Sequence, residues 1–374
     1  MNIFASRLLR RVLLALSLLV IVGFSAAWWW IARISEQQLA ARVVAAPAGQ
    51  GLRAESVRIS GFPNRFVATF EKPVVGLPGS KIYSDEPLKL VRNVIGSHYT
   101  LILPNTIRAD ANGQILTCRY PEAPRIELKI APLALERHQI ELGGPEKVAN
   151  ILKDPNFYKA FREFHYADKG AVCENAAQNE KISQGTGKIE IVNEQRENRG
   201  ILYVRASVKD IAWVVEGKSS TPYSTEIDFK IDGYDPLLTK EFPENTELQI
   251  NTLKFENARY AARVKGNVRL NKTDIFPYGD LRLSLDRYKQ MVDELYASAK
   301  EIEDRKKLPS GLPEKQKLLE FLAALSAATP EMENIEILAR RERGDDLYVG
   351  PYKLGQFVAA YQALFAHGDD SRAQ

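Results

Sequence analysis

The sequence predicts an α+β protein that is mainly β, with long antiparallel curved sheets forming a half-barrel or groove. Helices pack on these sheets, and one N-terminal transmembrane helix precedes them. Three observations carry this expectation. A charge-free run of about twenty residues follows three arginines at the start of the chain. From Leu52 onward, many segments alternate apolar and polar residues with period two, as strands with one wet face do. Past Asp286 the apolar spacing changes to the three-and-four rhythm of helices.

Residues 1–11 carry Arg7, Arg10 and Arg11 and no acid. The run from Val12 to Ile31 has no charge, and at about 1.5 Å per residue it spans the ~30 Å hydrocarbon core of a bilayer. Trp28, Trp29 and Trp30 close it where an aromatic belt sits at the far interface. The preceding arginines place the N-terminus in the cytoplasm. The expected location is therefore a bacterial inner membrane, crossed once, with the bulk of the chain in the periplasm. Two other readings of the segment stand beside the anchor. Ser25-Ala26-Ala27 offers small residues for cleavage of a signal peptide, and the run also suits a buried helix of a soluble domain. The length of the run and its three tryptophans favour the anchor.

Residues 32–51 read as a membrane-proximal helix and a small-residue linker. A β-rich domain is expected over 52–366. Its first strands are Leu52–Ile59, Arg65–Phe70, Leu88–Val94, Tyr99–Leu103, Gln114–Tyr120, Arg125–Ile130 and Arg137–Leu142, with a turn or kink at Gly61-Phe62-Pro63. A helical insertion is expected over about 146–166, broken at Asp154-Pro155. Polar Glu174–Gln184 reads as a loop. Strands resume at Gly187–Asn193, Gly200–Glu216, Ser224–Asp232, Glu247–Leu253, Ala258–Leu270 and Gly279–Leu285. The longest bend at Asp210 and Gly266. C-terminal helices are expected over about 286–328, interrupted at Leu308–Pro313, and over 357–365. A hairpin, Ile335–Arg341 with Leu347–Val349, lies between them. Residues 367–374 read as a flexible tail.

The composition excludes some functions. Net charge is +4 on 374 residues, and no run of lysine or arginine interleaves with aromatics, so a nucleic-acid partner has no support. The histidines His98, His138, His165 and His367 are not spaced for zinc, and there is no HExxH. No GxSxG elbow, phosphate-binding loop or GxGxxG is present. Asp232–Asp235 (DGYD) lacks the remaining ligands of a calcium loop and reads as a turn. No cofactor and no enzymatic activity are expected. Cys118 and Cys173 are the two cysteines. Outside the cytoplasm they read as a disulfide, the alternative being two buried free thiols.

The candidate ligand contacts are apolar. Phe62, Phe66 and Phe70 form a cluster read either as core or as one end of an apolar groove. Tyr260, Val264 and Val268 share one face of a strand whose other face carries Arg259, Arg263, Lys265 and Arg269. Such a face needs a cover, either from the chain or from a lipid.

Ile59-Ser60-Gly61-Phe62-Pro63-Asn64-Arg65-Phe66, followed by Ala68-Thr69-Phe70, resembles the G-[FW]-P-x-R-F block near the start of the bacterial family called domain of unknown function 2125. A membrane segment precedes the block in that family too. Gly279–Leu295 looks like its late strand-to-helix unit, and Asp346–Gly355 like its terminal hairpin with a G-P-x-x-L-G ending. The resemblance spans most of residues 10–357 and supplies no catalytic residues. In its general look the chain is more distantly similar to AsmA-like envelope proteins linked to lipid transport. The leading expectation is a non-enzymatic binder of lipid or acyl chains, or of a lipoprotein or other envelope component. A scaffold subunit touching another envelope protein, and an envelope hydrolase with a dispersed site, are the alternatives.

Overall fold

The computed structural model describes residues 25, 28–30, 32–41, 43–44, 51–61, 65–77, 79–93, 97–111, 113–130, 161–175, 177, 179–196, 199–215, 218–234, 246–270, 277–306, 312–326, 332–342 and 346–365. The chain is mainly antiparallel β and is not closed into a barrel. It divides into two compact units, Met1–Lys181 and Ile182–Gln374.

The first unit holds β1 (Gly51–Arg53), β2 (Ser56–Ser60), β3 (Arg65–Glu71), β4 (Val74–Leu77), β5 (Ser80–Tyr83), β6 (Leu88–Asn93), β7 (His98–Ile102), β8 (Thr106–Ala111), β9 (Gln114–Arg119), β10 (Arg125–Ile130), β11 (Phe161–Asp168) and β12 (Ala171–Asn175). One antiparallel ladder runs β2-β3-β6-β7-β10-β11 and a second runs β1-β4-β5-β8-β9-β12. Each long pass of the meander thus contributes one strand to each ladder and is interrupted once between them. Pro73, Pro87, Pro104, Pro121 and Pro124 occupy four of these interruptions. Proline has no N–H to give a ladder, so it breaks pairing where it stands. The line of breaks is hydrogen-bonded in its own way. Ser84 N donates to Pro73 O (3.1 Å) and Ser84 Oγ to Thr106 O (2.6 Å), while Asn105 N donates to Glu86 Oε2 (2.8 Å).

The core of this unit joins Val57, Ala68, Phe70 and Leu88 to Ala54 and to Val43 of the N-terminal helical segment, with Leu39 against it. Residues 32–41 are helical, and Glu36 Oε2 accepts from Ile59 N (3.2 Å). Cys118 and Cys173 are direct register partners on β9 and β12 and form a disulfide.

β13 (Glu180–Gln184) spans the boundary between the units. The second unit holds β14 (Gly187–Arg196), β15 (Arg199–Val215), β16 (Lys218–Ser219), β17 (Tyr223–Tyr234), β18 (Thr246–Asn257), β19 (Ala261–Leu270), β20 (Tyr278–Asp286), β21 (Ile335–Arg341), β22 (Tyr348–Val349) and β23 (Tyr352–Lys353). Three helices join them: α1 (Tyr288–Lys306), α2 (Lys315–Ser326) and α3 (Leu354–Phe365). The ladder β14-β15-β17-β18-β19-β20-β21 is antiparallel throughout. Asp210 has φ 52° and the β15 register shifts beside it. Gly266 has φ +149°, and a Cβ there would stand 2.1 Å from Asp280 O, so this close approach of β19 to β20 requires glycine. The core gathers Leu285, Tyr288, Leu325, Ile335 and Ile337, with Leu319, Phe321 and Phe357 of the helices against it.

Several expectations change. Residues 161–166, expected in the helical insertion, form β11. Leu128 faces Phe164 and Ile126 faces Tyr166 across the ladder, so cross-strand pairing overrides the helical spacing of the aromatics. The rest of that insertion and Arg137–Leu142 lie outside the described residues. Glu174–Gln184, expected as a loop, instead contains the end of β12 and all of β13; its polar residues suit exposed strands. Leu52–Ile59 is two strands rather than one, parted at Ala54-Glu55. Most of the expected transmembrane run, Val12 and Ile31 included, lies outside the described residues. Among the described residues no helix is long and apolar enough to cross a membrane. The helical residues 32–41 that continue from it include Arg33 and Glu36, which keep that stretch too polar for a bilayer core.

Candidate ligand-binding face

The register of the second unit stacks apolar residues across the sheet. Ile189, Ala206, Ile227, Leu253, Val264, Leu283 and Ile337 are successive cross-strand partners from β14 to β21. A second row runs Ile191, Val204, Phe229, Ile250, Gly266, Leu281 and Ala339, and a third runs from Asn193 through Leu202, Ile231 and Leu248 to Val268. Since side chains alternate across a strand, these rows lie on one face.

The opposite face is charged and wet. Arg205 pairs with Asp228 (3.3 Å), Lys230 with Asp232 (2.9 Å), Arg263 with Asp286 (3.4 Å) and Arg282 with Glu336 (3.4 Å). All of these pairs are partly solvated, so each contributes about 1 kcal/mol or less. A shallow depression on this face, about 170 Å³, is lined by Lys188, Glu190, Arg205, Ser207, Glu226 and Asp228. Its cations already pair with its own carboxylates, which leaves little field for a ligand.

Cover on the apolar face is uneven. Toward β20 and β21 the helices close it, and Leu285, Ile335 and Ile337 are buried. Toward β15 and β18 it is open: Trp213 is 43% exposed and Leu253 44%. Ile227, Phe229, Ile250 and Val264 are only half-buried. An aromatic row runs from this end, from exposed Trp213 to buried Tyr260. Trp213 meets Tyr223 edge-on at 5.1 Å, Tyr223 meets Phe255 at 4.9 Å, and Phe255 stacks with Tyr260 at 6.1 Å. The shift in register at Asp210 brings Ile211 opposite Tyr223 and so carries Trp213, two residues on, to the apolar face. Trp213 N donates to Ser220 Oγ (3.0 Å) and fixes the backbone there. Burial pushes the Tyr223 phenol above its ordinary range; burial and then Glu294 do the same for Tyr260. Both hydroxyls stay neutral at physiological pH.

The structure thus places Tyr260, Val264 and Val268 on one face and joins them to Trp213, Tyr223, Leu253 and Phe255, which sequence reasoning did not single out. The signal for the last three is the period-two pattern of YSTEIDFKI and TELQINTLKF; which residues become neighbours depends on register. Phe66 and Phe70 belong to the first unit. Phe70 is buried in the core, and Phe66 meets Trp28 edge-on at 6.3 Å. Phe62 lies outside the described residues.

Among the described residues, metal-binding side chains do not converge: no three His, Cys, Asp or Glu side chains are placed to hold a metal. Glu163 is held below the ordinary carboxylate range, chiefly by its hydrogen bond with Lys129 (2.6 Å), and His165 lies 3.4 Å from it. Tyr166 and Tyr120 are raised mainly by burial.

No family model, curated protein or solved structure matches this chain. The resemblance drawn above therefore rests on its sequence blocks alone.

Proposed function

We propose that this is a non-enzymatic, membrane-tethered envelope protein whose second unit binds hydrocarbon on the open part of its apolar sheet face. In this reading the curved antiparallel sheet serves as a half-open groove. The observation that carries it is that Trp213 and Leu253 stand exposed on this apolar face, while helices cover the face toward β20 and β21. A contiguous exposed apolar patch marks a binding site more often than an ordinary monomer surface does. The charge-free run from Val12 to Ile31 supports a tether, and the Cys118–Cys173 bridge suits an oxidising compartment such as the periplasm.

Native mass spectrometry of the full chain from membranes tests the reading. Co-purified lipid is expected. Leu253→Asp, at an exposed position, should weaken its retention by about tenfold or more, since burying one leucine against hydrocarbon contributes about 1.5–3 kcal/mol. Full delipidation without loss of fold, together with no rebinding of added lipid, would sink the proposal.

A second reading has its own observation. α3 carries no charged residue between Leu354 and Phe365, and Val358 and Tyr361 are 42% and 48% exposed. A scaffold subunit would present such a helix to an envelope partner. Val358→Lys should then release a stoichiometric partner in pull-downs while leaving lipid retention unchanged.

A further inference from the structure

The helical segment that follows the charge-free run is built into the first unit. Val43 is buried in the core with Ala68 and Phe70, and Leu39 packs against them. Glu36 Oε2 accepts from Ile59 N (3.2 Å), and Trp28 meets Phe66 edge-on at 6.3 Å. These contacts are spread from Trp28 to Val43, so the segment is fastened along its length and is no loose spacer. Phe66 follows Arg65 at the start of β3. Trp28 therefore lies at the end of the ladder where that strand begins.

Register brings other strand ends to the same rim. Arg65 faces Asn93 across β3 and β6, Arg92 faces Tyr99 across β6 and β7, and His98 faces Lys129 across β7 and β10. The rim is aromatic and cationic, the make-up of a bilayer boundary. Trp29 and Trp30 are 60% and 62% exposed. The Arg33 guanidinium stands 5.1 Å over the Trp29 ring, and that of Arg92 stands 5.3 Å over Tyr99. A guanidinium stacked on a ring keeps its N–H edges for a phosphate oxygen. Lys129 is already paired with Glu163 (2.6 Å). Arg33, Arg65 and Arg92 are exposed and meet no carboxylate among the described residues. At the other end of β3 and β6 the charge is mixed, Glu71, Asp85 and Glu86 against Lys72 and Lys89.

We infer that this rim of the first unit docks on the bilayer that its tether enters, with Arg33, Arg65 and Arg92 on the phosphates of anionic phospholipids. This rests on the tether proposed above and adds to it an orientation and a lipid charge. Tryptophans of a membrane segment settle at headgroup level. Trp28 touches Phe66, so the same level reaches the start of β3 and its neighbours. The passes of the meander then lead away from the membrane, and the β8–β9 hairpin lies at their far end.

The experiment reconstitutes the full chain in vesicles of phosphatidylcholine, with or without phosphatidylglycerol. A photocrosslinking p-benzoylphenylalanine replaces either Asn93, exposed at the rim, or Gln114, exposed at the β8–β9 hairpin. The pass from His98 to Ala111 separates the two probes by up to about 40 Å. Lipid adducts are counted by mass spectrometry. In vesicles with phosphatidylglycerol the Asn93 probe should give at least about fivefold more adduct than the Gln114 probe, since one basic residue at an anionic surface shifts an equilibrium about fivefold. Adding Arg65→Gln and Arg92→Gln should remove most of that excess. Adding Arg65→Lys and Arg92→Lys instead should keep most of it, because the charge is kept.

A chain that an alkaline wash strips from the vesicles, with no adduct at either position, overturns both the tether and the inference. A chain that stays on the vesicles but gives no more adduct at Asn93 than at Gln114 overturns the inference and leaves the tether in place. An Asn93 excess that is the same without phosphatidylglycerol, and is untouched by the glutamine variants, overturns the assignment to anionic headgroups.

Discussion

The two units use the same device and finish it differently. Each is a meander with one apolar sheet face, and each lays helix along part of that face. In the first unit the helical segment with Leu39 and Val43 covers β2, β3 and β6, and Ala68 and Phe70 fall to 0% and 4% exposure. In the second, Tyr288 of α1 and Leu325 of α2 join Leu285 and Ile337 in a buried cluster, yet Leu253, in the same cross-strand row as Ile337, stays open. The difference teaches that strand pattern alone does not decide whether an apolar face becomes core or surface. Where the chain supplies a helix it becomes core.

That contrast can be broken by substitution. Tyr288→Ala and Phe70→Ala each remove a buried ring and should cost about 3–5 kcal/mol, read as a large drop in melting temperature. Leu253→Ala should cost less than about 1 kcal/mol, as surface changes do. If Leu253→Ala destabilises as much as Tyr288→Ala, the face is covered in solution and the comparison fails.

Next in size is the disulfide. Cys118 and Cys173 close a loop of 55 residues, and removing the bridge by Cys118→Ala with Cys173→Ala should cost about 2–4 kcal/mol. Limited proteolysis should show new cuts in residues 1–181 and an unchanged pattern in 182–374. Equal loosening of both units would mean that they melt as one.

The smallest effect concerns acid. The Glu163 carboxyl is lowered in the folded state, chiefly by its hydrogen bond with Lys129. A lowered carboxyl contributes stability that is present above the ordinary glutamate range near pH ~4.3 and is lost as pH falls through the folded value. Glu163→Gln should therefore lower the melting temperature slightly at neutral pH and leave it unchanged in strong acid. Its pair is partly solvated, so the change should be small. A larger gap in acid than at neutral pH would reverse the sign and refute the assignment.

Much of the fold was legible. Alternation in ILYVRASV and in RYAARVKGNVRL marked strands, Asp210 and Gly266 marked their irregularities, and the C-terminal helices lie within a few residues of expectation. What was not legible depended on partners. Phe161, Phe164 and Tyr166 carry a spacing that suits a helix, and only pairing with β10 makes them a strand. Leu52–Ile59 looks continuous, and its break becomes intelligible only beside Pro73 and the other prolines along the same line. The same holds for the face. Val264 and Val268 were visible as neighbours on one strand, but Trp213 joins them only through the shifted register at Asp210. Nothing in the composition says which apolar rows the helices will reach.

The meander itself has a consequence for how the molecule is made. In the first unit every long pass pairs with passes adjacent to it in sequence, across connections as short as Pro78-Gly79 between β4 and β5. From β2 to β10 the low sequence separation between partners favours fast assembly, and domains commonly organise N-terminal part first as the chain emerges. Each new pass finds its template already waiting. The order of synthesis can then be the order of construction, and an arrested chain should carry finished sheet behind an unfinished edge.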